Sequence, residues 1–286
     1  MTAPADDRAA LLAGAATMAM PEGWRLEARV VVDSTQAVAR AELEAGRAAD
    51  LWSDRALVVW GGEQTGGRGR QGRPWASPPG NLYVTVALPC PDGPRRGVEI
   101  GFLGGVALAR ALGDLGFGAV GGLPEPRLKW PNDVLLDGAK VAGLLPESAS
   151  DAAGRCWVLL GMGVNVATAP PMGETLYPAT KLAAHAPGGL PGAPVPTPAD
   201  LLMPLLARLA ALVAQWRAAG FAPVRAAWLR HGHGLGEAVR VRLGAETVTG
   251  VFEGLSAAGA LMLREDGGAR RTILAGDVFF AAREDG

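Results

Sequence analysis

Residues 61–81 read GGEQTGGRGRQGRPWASPPGN, a stretch with no apolar run to bury, around which the rest of the chain is organised. Arg68, Arg70 and Arg73 stand among glycines and prolines with a single acid, Glu63, and no apolar run. The apolar run 56–60 precedes it and the alternating run 81–88 follows it, so the stretch is a strand-to-strand connection held at both ends. Glycine lets backbone approach a ligand closely, and an arginine fork matches phosphate or carboxylate oxygens two at a time. The loop reads as an anion clamp, with a solvated basic loop as the plainer alternative. Gly67, Gly69 and Gly72 also satisfy G-x-G-x-x-G, but that fingerprint needs a helix opening at its third glycine. Here Arg73-Pro74-Trp75 and Ser77-Pro78-Pro79-Gly80 follow, which start no regular helix, so a doubly wound dinucleotide fold is excluded.

Charge makes anion recognition local. The net charge is −1 and the pI about 6.3, which gives no general attraction to nucleic acid or to an anionic membrane. Among 27 basic side chains only three are lysines: Lys129, Lys140 and Lys181. A chain that nearly always uses arginine thus places two lysines eleven residues apart, where a compact ammonium that can follow a reacting oxygen is the distinguishing chemistry; chance is the alternative. Cys90 and Cys156 form neither a disulfide framework nor a zinc motif, which fits a reducing, cytoplasmic setting. No run of about 18 apolar residues occurs. Residues 1–24 read as a frayed, weakly helical lead-in, because acids stand where a signal peptide carries positive charge.

Along the chain, residues 26–32 read as a strand and 36–46 as a helix, with Asp33, Ser34 and Thr35 at the turn between them. These polar residues serve as a helix cap or as a small polar ligand site. Residues 97–115 read as a buried helix. Asp137-Gly138 marks a hairpin, with Asn132 and Asp133 at a bend outside its ladder. Residues 157–166 form a further strand in which Gly161 and Gly163 imply close approach of a backbone or ligand, and Asn165 is either a ligand contact or a satisfied buried amide. A proline- and glycine-rich excursion, 169–198, precedes helices at 199–219 and 223–231. From about residue 235 short alternating strands define a small antiparallel domain, whose Phe252, Phe279 and Phe280 read as core and not as a nucleic-acid stacking platform.

Several of these segments together resemble the biotin protein ligases: Asp33-Ser34-Thr35, then Gln64 with GRGRQGRPW and SPPGNLY, KWPND at 129–133, Lys140-Val141-Ala142-Gly143, and GMGVN at 161–165. The resemblance implies an α+β fold: a class II synthetase-like mixed and antiparallel sheet with flanking helices over residues 25–234, plus a C-terminal SH3-like β-barrel over 235–286. It implies that biotin and ATP, with Mg²⁺, give biotinyl-5′-AMP, and that a lysine of a biotin carboxyl carrier domain, as in acetyl-CoA carboxylase, then takes the biotin. By position it implies Ser34, Thr35, Gln36, Gln64, Gly67, Arg68, Gly69, Arg70, Lys140 and Gly143 at biotin. It implies Arg68, Arg70, Arg73, Trp75, Lys129, Asn132 and Asn165 at the nucleotide, and Lys140, Arg70 and Asp133 in catalysis. Asp133 orients the acceptor amine or helps to hold Mg²⁺; the two roles stay open. Gln36 stands where the family usually has asparagine. Many members are homodimers through the central sheet. Residues 1–25 are too short for the DNA-binding domain that some members carry, so operator binding is not expected, and the charge balance makes neither nucleic acid nor membrane an expected partner. The neighbouring readings are a lipoate or octanoate ligase or transferase, and a non-catalytic sensor of biotin or its adenylate.

Overall fold

The computed structural model describes residues 14–119, 122–171, 177–185, 196–244 and 246–280, and of Arg95 the backbone alone. Most of the lead-in, parts of the 169–198 excursion and the last six residues of the small domain lie outside them. In chain order the elements are β1 (Trp24–Val32), α1 (Thr35–Glu44), β2 (Ala56–Gln64), β3 (Leu82–Pro89), α2 (Gly97–Asp114), β4 (Arg127–Lys129), β5 (Asp133–Leu136), β6 (Ala139–Ser150) and β7 (Cys156–Val164). There follow α3 (Pro198–Ala219), α4 (Ala222–His231), β8 (Ala238–Leu243), β9 (Glu246–Leu255), β10 (Leu261–Glu265), β11 (Arg270–Ile273) and β12 (Asp277–Phe280).

Among the described residues, seven strands form one sheet in the order β1-β2-β3-β7-β6-β5-β4, with β1 at a free edge. β1 and β2 run parallel and the other neighbours antiparallel, so the sheet is mixed as expected. Strand periodicity sends alternate residues to opposite faces. Leu57, Val59 and Leu159 pack on one face with Ala39 and Leu43 of α1 and with Trp157. Val58, Trp60, Val158 and Leu160 join α2 and the leucine stripe of α3 on the other. α3 begins at a capping box, Thr197 with Asp200, and although its composition would suit a membrane span, Leu201, Leu205, Leu209 and Leu212 are buried in the core. Asp137 and Gly138 both take positive φ, the I′ geometry of a tight hairpin.

Two expectations need correction. Asp133 is not outside the ladder: it opens β5, opposite Lys129 on one side and Gly143 on the other. The turn is confined to residues 130–132, so Asn132 does lie at the bend, and pairing resumes at Asp133 once Pro131, which has no backbone N–H, is passed. The small domain is a five-stranded antiparallel sheet in the order β11-β10-β9-β8-β12, and it is not a closed barrel. β12 turns away from β11 to pair with β8, which leaves β11 and β12 as the two edges and carries Asp277 toward the large sheet. One continuous core runs through both sheets. Trp130 donates its indole N–H to Gly259 O at 3.1 Å, and Arg225 donates to Leu255 O, so the small domain is docked by hydrogen bonds as well as by burial.

Candidate active site

The turn from β1 to α1 is extended at Ser34, the position that normally caps a helix, yet its side chain makes no capping hydrogen bond. Ser34, Thr35 and Gln36 are buried and face a cleft of about 350 Å³. Thr35 is fixed from several sides: its N–H donates to Gln64 Oε1 at 2.9 Å and its hydroxyl meets Thr85 Oγ1 at 2.8 Å. Gln64 returns its amide N–H to Ser77, and Gln36 donates to Leu145 O at 2.9 Å. These side chains line the cleft while their amide nitrogens are already committed to the framework, a rigid polar end beside the apolar Leu144, Leu145 and Met162.

The glycine-rich segment is a small hairpin, not an open arch. Arg68 bridges to Pro74, Gly69 N–H donates to Arg73 O, and Trp75 N–H donates to Gly67 O. Gln71 and Gly72 take positive φ at its tip. Gly67 is not among the cleft-lining residues; a Cβ there would meet Ser77 Oγ at 2.5 Å, so glycine lets the two limbs cross. Arg68, Gly69, Arg70 and Arg73 do line the cleft. Trp75 lies across the sheet: a Cβ at Gly163 would be 2.5 Å from its Nε1, and one at Gly143 would be 3.1 Å from its ring. Gly161 makes the same allowance for Gln36, at 2.9 Å. The close approach expected at Gly161 and Gly163 is therefore by the protein's own side chains.

Beneath the loop, the two lysines converge on one carboxylate. Lys140 Nζ is 2.6 Å from Asp133 Oδ1 and Lys129 Nζ is 3.6 Å from Oδ2. Asp133 is 7 % exposed and Lys129 4 %. Burial pushes the Lys129 ammonium down to about 8, against the pull of Asp133 toward the charged form. Its Nζ also sits 3.5 Å from the centroid of the Tyr177 ring. Asn132 and Asn165 line the cleft, with amide nitrogens donating to Leu144 O and Thr180 O.

Residues 31–165 match the model of the biotin/lipoate A/B protein ligase family, and residues 234–281 match that of the biotin protein ligase C-terminal domain. The chain is 40% identical over 249 residues to the biotin–[acetyl-CoA-carboxylase] ligase of Paracoccus denitrificans, covering 87% of this chain and 97% of the relative. It belongs to the biotin protein ligase family. The fold is also that of a biotin protein ligase from Aquifex aeolicus in complex with biotin and ATP, with 25% identity, TM-score 0.68, and 90% and 98% of the two chains covered. A biotin protein ligase from Leishmania major in complex with biotinyl-5-AMP is 26% identical, with TM-score 0.60 and 89% and 100% covered.

Two parts of this ligase-family site carry no signal in the sequence. Residues 177–182 form a strap over Lys140: Lys140 N–H donates to Pro178 O at 2.7 Å, Thr180 N–H donates to Lys140 O at 2.8 Å, and Leu182 N–H donates to Asn165 O. Tyr177 hydroxyl donates to Val278 O across the inter-sheet seam. The second is Asp277 of β12, 8 % exposed, whose Oδ2 accepts from Arg73 at 2.6 Å. Burial raises the Asp277 pKa, but hydrogen bonds from Arg73 and Arg242 and the charges of Arg73 and Arg70 outweigh it and hold the carboxyl below its usual range. Asp277 extends the cleft into the small domain. Among the described residues no group of three or more His, Cys, Asp or Glu could hold a metal.

Proposed function

We propose that this chain activates biotin with ATP, forming biotinyl-5′-AMP and pyrophosphate, and then transfers biotin to a lysine of a biotin carboxyl carrier domain such as that of acetyl-CoA carboxylase. The observation that carries this reading is the charge of the cleft: five cations, Arg68, Arg70, Arg73, Lys129 and Lys140, face two carboxylates, Asp133 and Asp277. That excess suits a reaction in which two mutually repelling anions must meet. The polar end at Ser34, Thr35, Gln36 and Gln64 suits biotin's ureido group, and Leu144, Leu145 and Met162 suit its alkyl chain. In the first step a biotin carboxylate oxygen attacks the α-phosphorus and the bond to the β-phosphate oxygen breaks. Lys140 is placed to offset charge on the carboxylate and α-phosphate as they approach. Arg70 and Arg73 close over the nucleotide phosphates, with Trp75, Asn132 and Asn165 around its base and ribose.

In the second step the neutral acceptor amine attacks the acyl carbon, the bond from that carbon to the AMP oxygen breaks with its electron pair leaving on AMP, and the amine's proton is released to solvent. Asp133 is suited to orienting that amine in its neutral, attacking form by accepting its N–H with a lone pair that the two lysines leave unused. The same contacts argue against a protein-built Mg²⁺ site: Mg²⁺ favours one or two carboxylates plus substrate phosphates, and here both Asp133 oxygens face lysines. Mg²⁺ would therefore arrive with the nucleotide, held by its phosphates, and not in a site built by the protein. The two unpaired cysteines, of which Cys90 is buried and pushed up to about 11 by burial, suit a reducing cytoplasmic setting. The test is ATP/pyrophosphate exchange by purified protein with biotin, lipoate, octanoate or no acid. Exchange dependent on biotin alone is expected; exchange driven by lipoate or octanoate would move the chain to that substrate, and no exchange with any acid would leave a binding protein.

A further inference from the structure

The two-step reaction uses the loop arginines but gives no role to the residue that shares their carboxylate. Arg242, on β8 of the small domain, donates from Nη2 to Asp277 Oδ2 at 3.1 Å. That oxygen is the one that accepts from Arg73 Nη2 at 2.6 Å. Arg70 Nη1 lies 3.6 Å from Asp277 Oδ1 and donates to Gly276 O at 3.2 Å. Three guanidiniums thus meet at one buried carboxylate, two from the catalytic loop and one from the other sheet.

A single carboxylate leaves this group with two uncompensated positive charges, in a place where solvent screens them incompletely. The arrangement is nevertheless built. The Arg242 guanidinium is also held 5.3 Å from the Phe279 ring centroid, and Phe279 packs against Tyr177. Each guanidinium has five N–H donors, and the contacts to Asp277 use only part of each fork. Arg242 is not among the residues that line the cleft, but it donates to Asp277, which is, and its side chain is 42 % exposed. Surplus positive charge, unused donors in planar forks and a partly exposed third fork beside the cleft together describe a phosphate-binding subsite.

We propose that Arg242 completes, with Arg70 and Arg73, a subsite for the pyrophosphate leaving group beside the cleft, with Asp277 holding the three guanidiniums in position. The proposal rests on the ligase reading above. As the bond from the α-phosphorus to the β-phosphate oxygen breaks, its electron pair goes to the departing pyrophosphate, and the added charge appears where these three residues converge. The same contacts hold the β- and γ-phosphates of ATP before reaction, and pyrophosphate in the reverse direction.

The test compares wild type with Arg242→Ala and Arg242→Lys in biotin-dependent exchange, and in transfer from synthetic biotinyl-5′-AMP to an acceptor carrier domain. For Arg242→Ala the KM for ATP and for pyrophosphate is expected to rise about tenfold, the loss of a charge-assisted contact. The KM for biotin should stay within about twofold, Arg242→Lys should recover part of the loss, and transfer from the preformed adenylate, which involves no pyrophosphate, should keep its rate. Unchanged KM for ATP and pyrophosphate overturns the proposal. So does an equal loss in the transfer step, which would assign Arg242 to carrier docking or to folding. If wild type shows no biotin-dependent exchange, the ligase reading fails separately, and calorimetric titration of inorganic pyrophosphate decides the subsite. About tenfold weaker binding by Arg242→Ala would sustain it, and equal affinity would remove it.

Discussion

Lys140 is where the chain's preference for arginine meets the geometry of the cleft. Its Nζ touches Asp133 at 2.6 Å, lies 5.2 Å from the Trp75 ring centroid, and passes so close to Gly143 that a Cβ there would be 3.3 Å away. A planar guanidinium is wider than an ammonium and brings a fixed fork where a compact charge now sits. If the position needed only positive charge, arginine would serve it as it serves elsewhere in this sequence. Lys140→Arg is therefore expected to lower kcat for adenylate formation by about 10²-fold or more, on the scale seen when a group stabilising transition-state charge is removed. Single-turnover formation of biotinyl-5′-AMP checks this, and a variant within about fivefold of wild type would reduce Lys140 to an interchangeable charge. The scarcity of lysine in the sequence draws attention to Lys129 and Lys140 together, and only the family resemblance distinguishes Lys140. The convergence of Lys129 on the same carboxylate does not follow from spacing alone, because it depends on Asp133 entering the ladder directly opposite Lys129.

The glycines of β6 and β7 act as an element, a flat seat in the sheet on which Trp75 rests. Gly143 and Gly163 are cross-strand partners, so the two missing side chains are adjacent. Gly163→Ala would put a methyl 2.5 Å from the rigid indole, which must lift off the sheet, whereas the same change at Gly161 would meet the Gln36 amide and disturb its bond to Leu145 O. If Trp75 shapes the nucleotide end, Gly163→Ala should raise the KM for ATP about tenfold and leave the KM for biotin little changed, and an unchanged KM for ATP would detach Trp75 from that end. The strand glycines, the I′ hairpin and the arginine loop are legible in the sequence because each carries its own local signature. The strap at 177–182 is not: its backbone pairs with Lys140 and Asn165 from a proline- and alanine-rich segment with no strand pattern. Asp277 is hidden for a related reason. After Gly276 it reads as an ordinary turn acid, and only the packing of the second sheet against the first buries it among arginines from distant segments.

At the scale of the molecule, the division into a catalytic body and a small domain describes the chain better than it describes the packing. Val241, Phe252, Leu255, Leu261 and Val278 of the small sheet belong to the same apolar cluster as Phe102 of α2, Trp228 of α4 and Trp130 of the turn after β4. Phe102 packs edge-on against Phe221 and Trp228 and lies against Gly259, so the seam is aromatic at its centre. Removing residues 235–286 would expose these rings and leave Arg70 and Arg73 without Asp277. Aromatic side chains of this size each hide on the order of 150–250 Å² of surface, so separating the sheets costs several times the burial energy of one side chain. The two sheets should therefore unfold together. Scanning calorimetry is expected to give one transition, with calorimetric and van't Hoff enthalpies in agreement. Two resolved transitions would instead mean that the small sheet holds its fold alone, and that the contacts of Asp277 with Arg70 and Arg73 join independent bodies across a hinge. A single transition would mean that the two sheets form one cooperative unit, so that the contacts of Asp277 with Arg70 and Arg73 are lost only when the fold itself is lost.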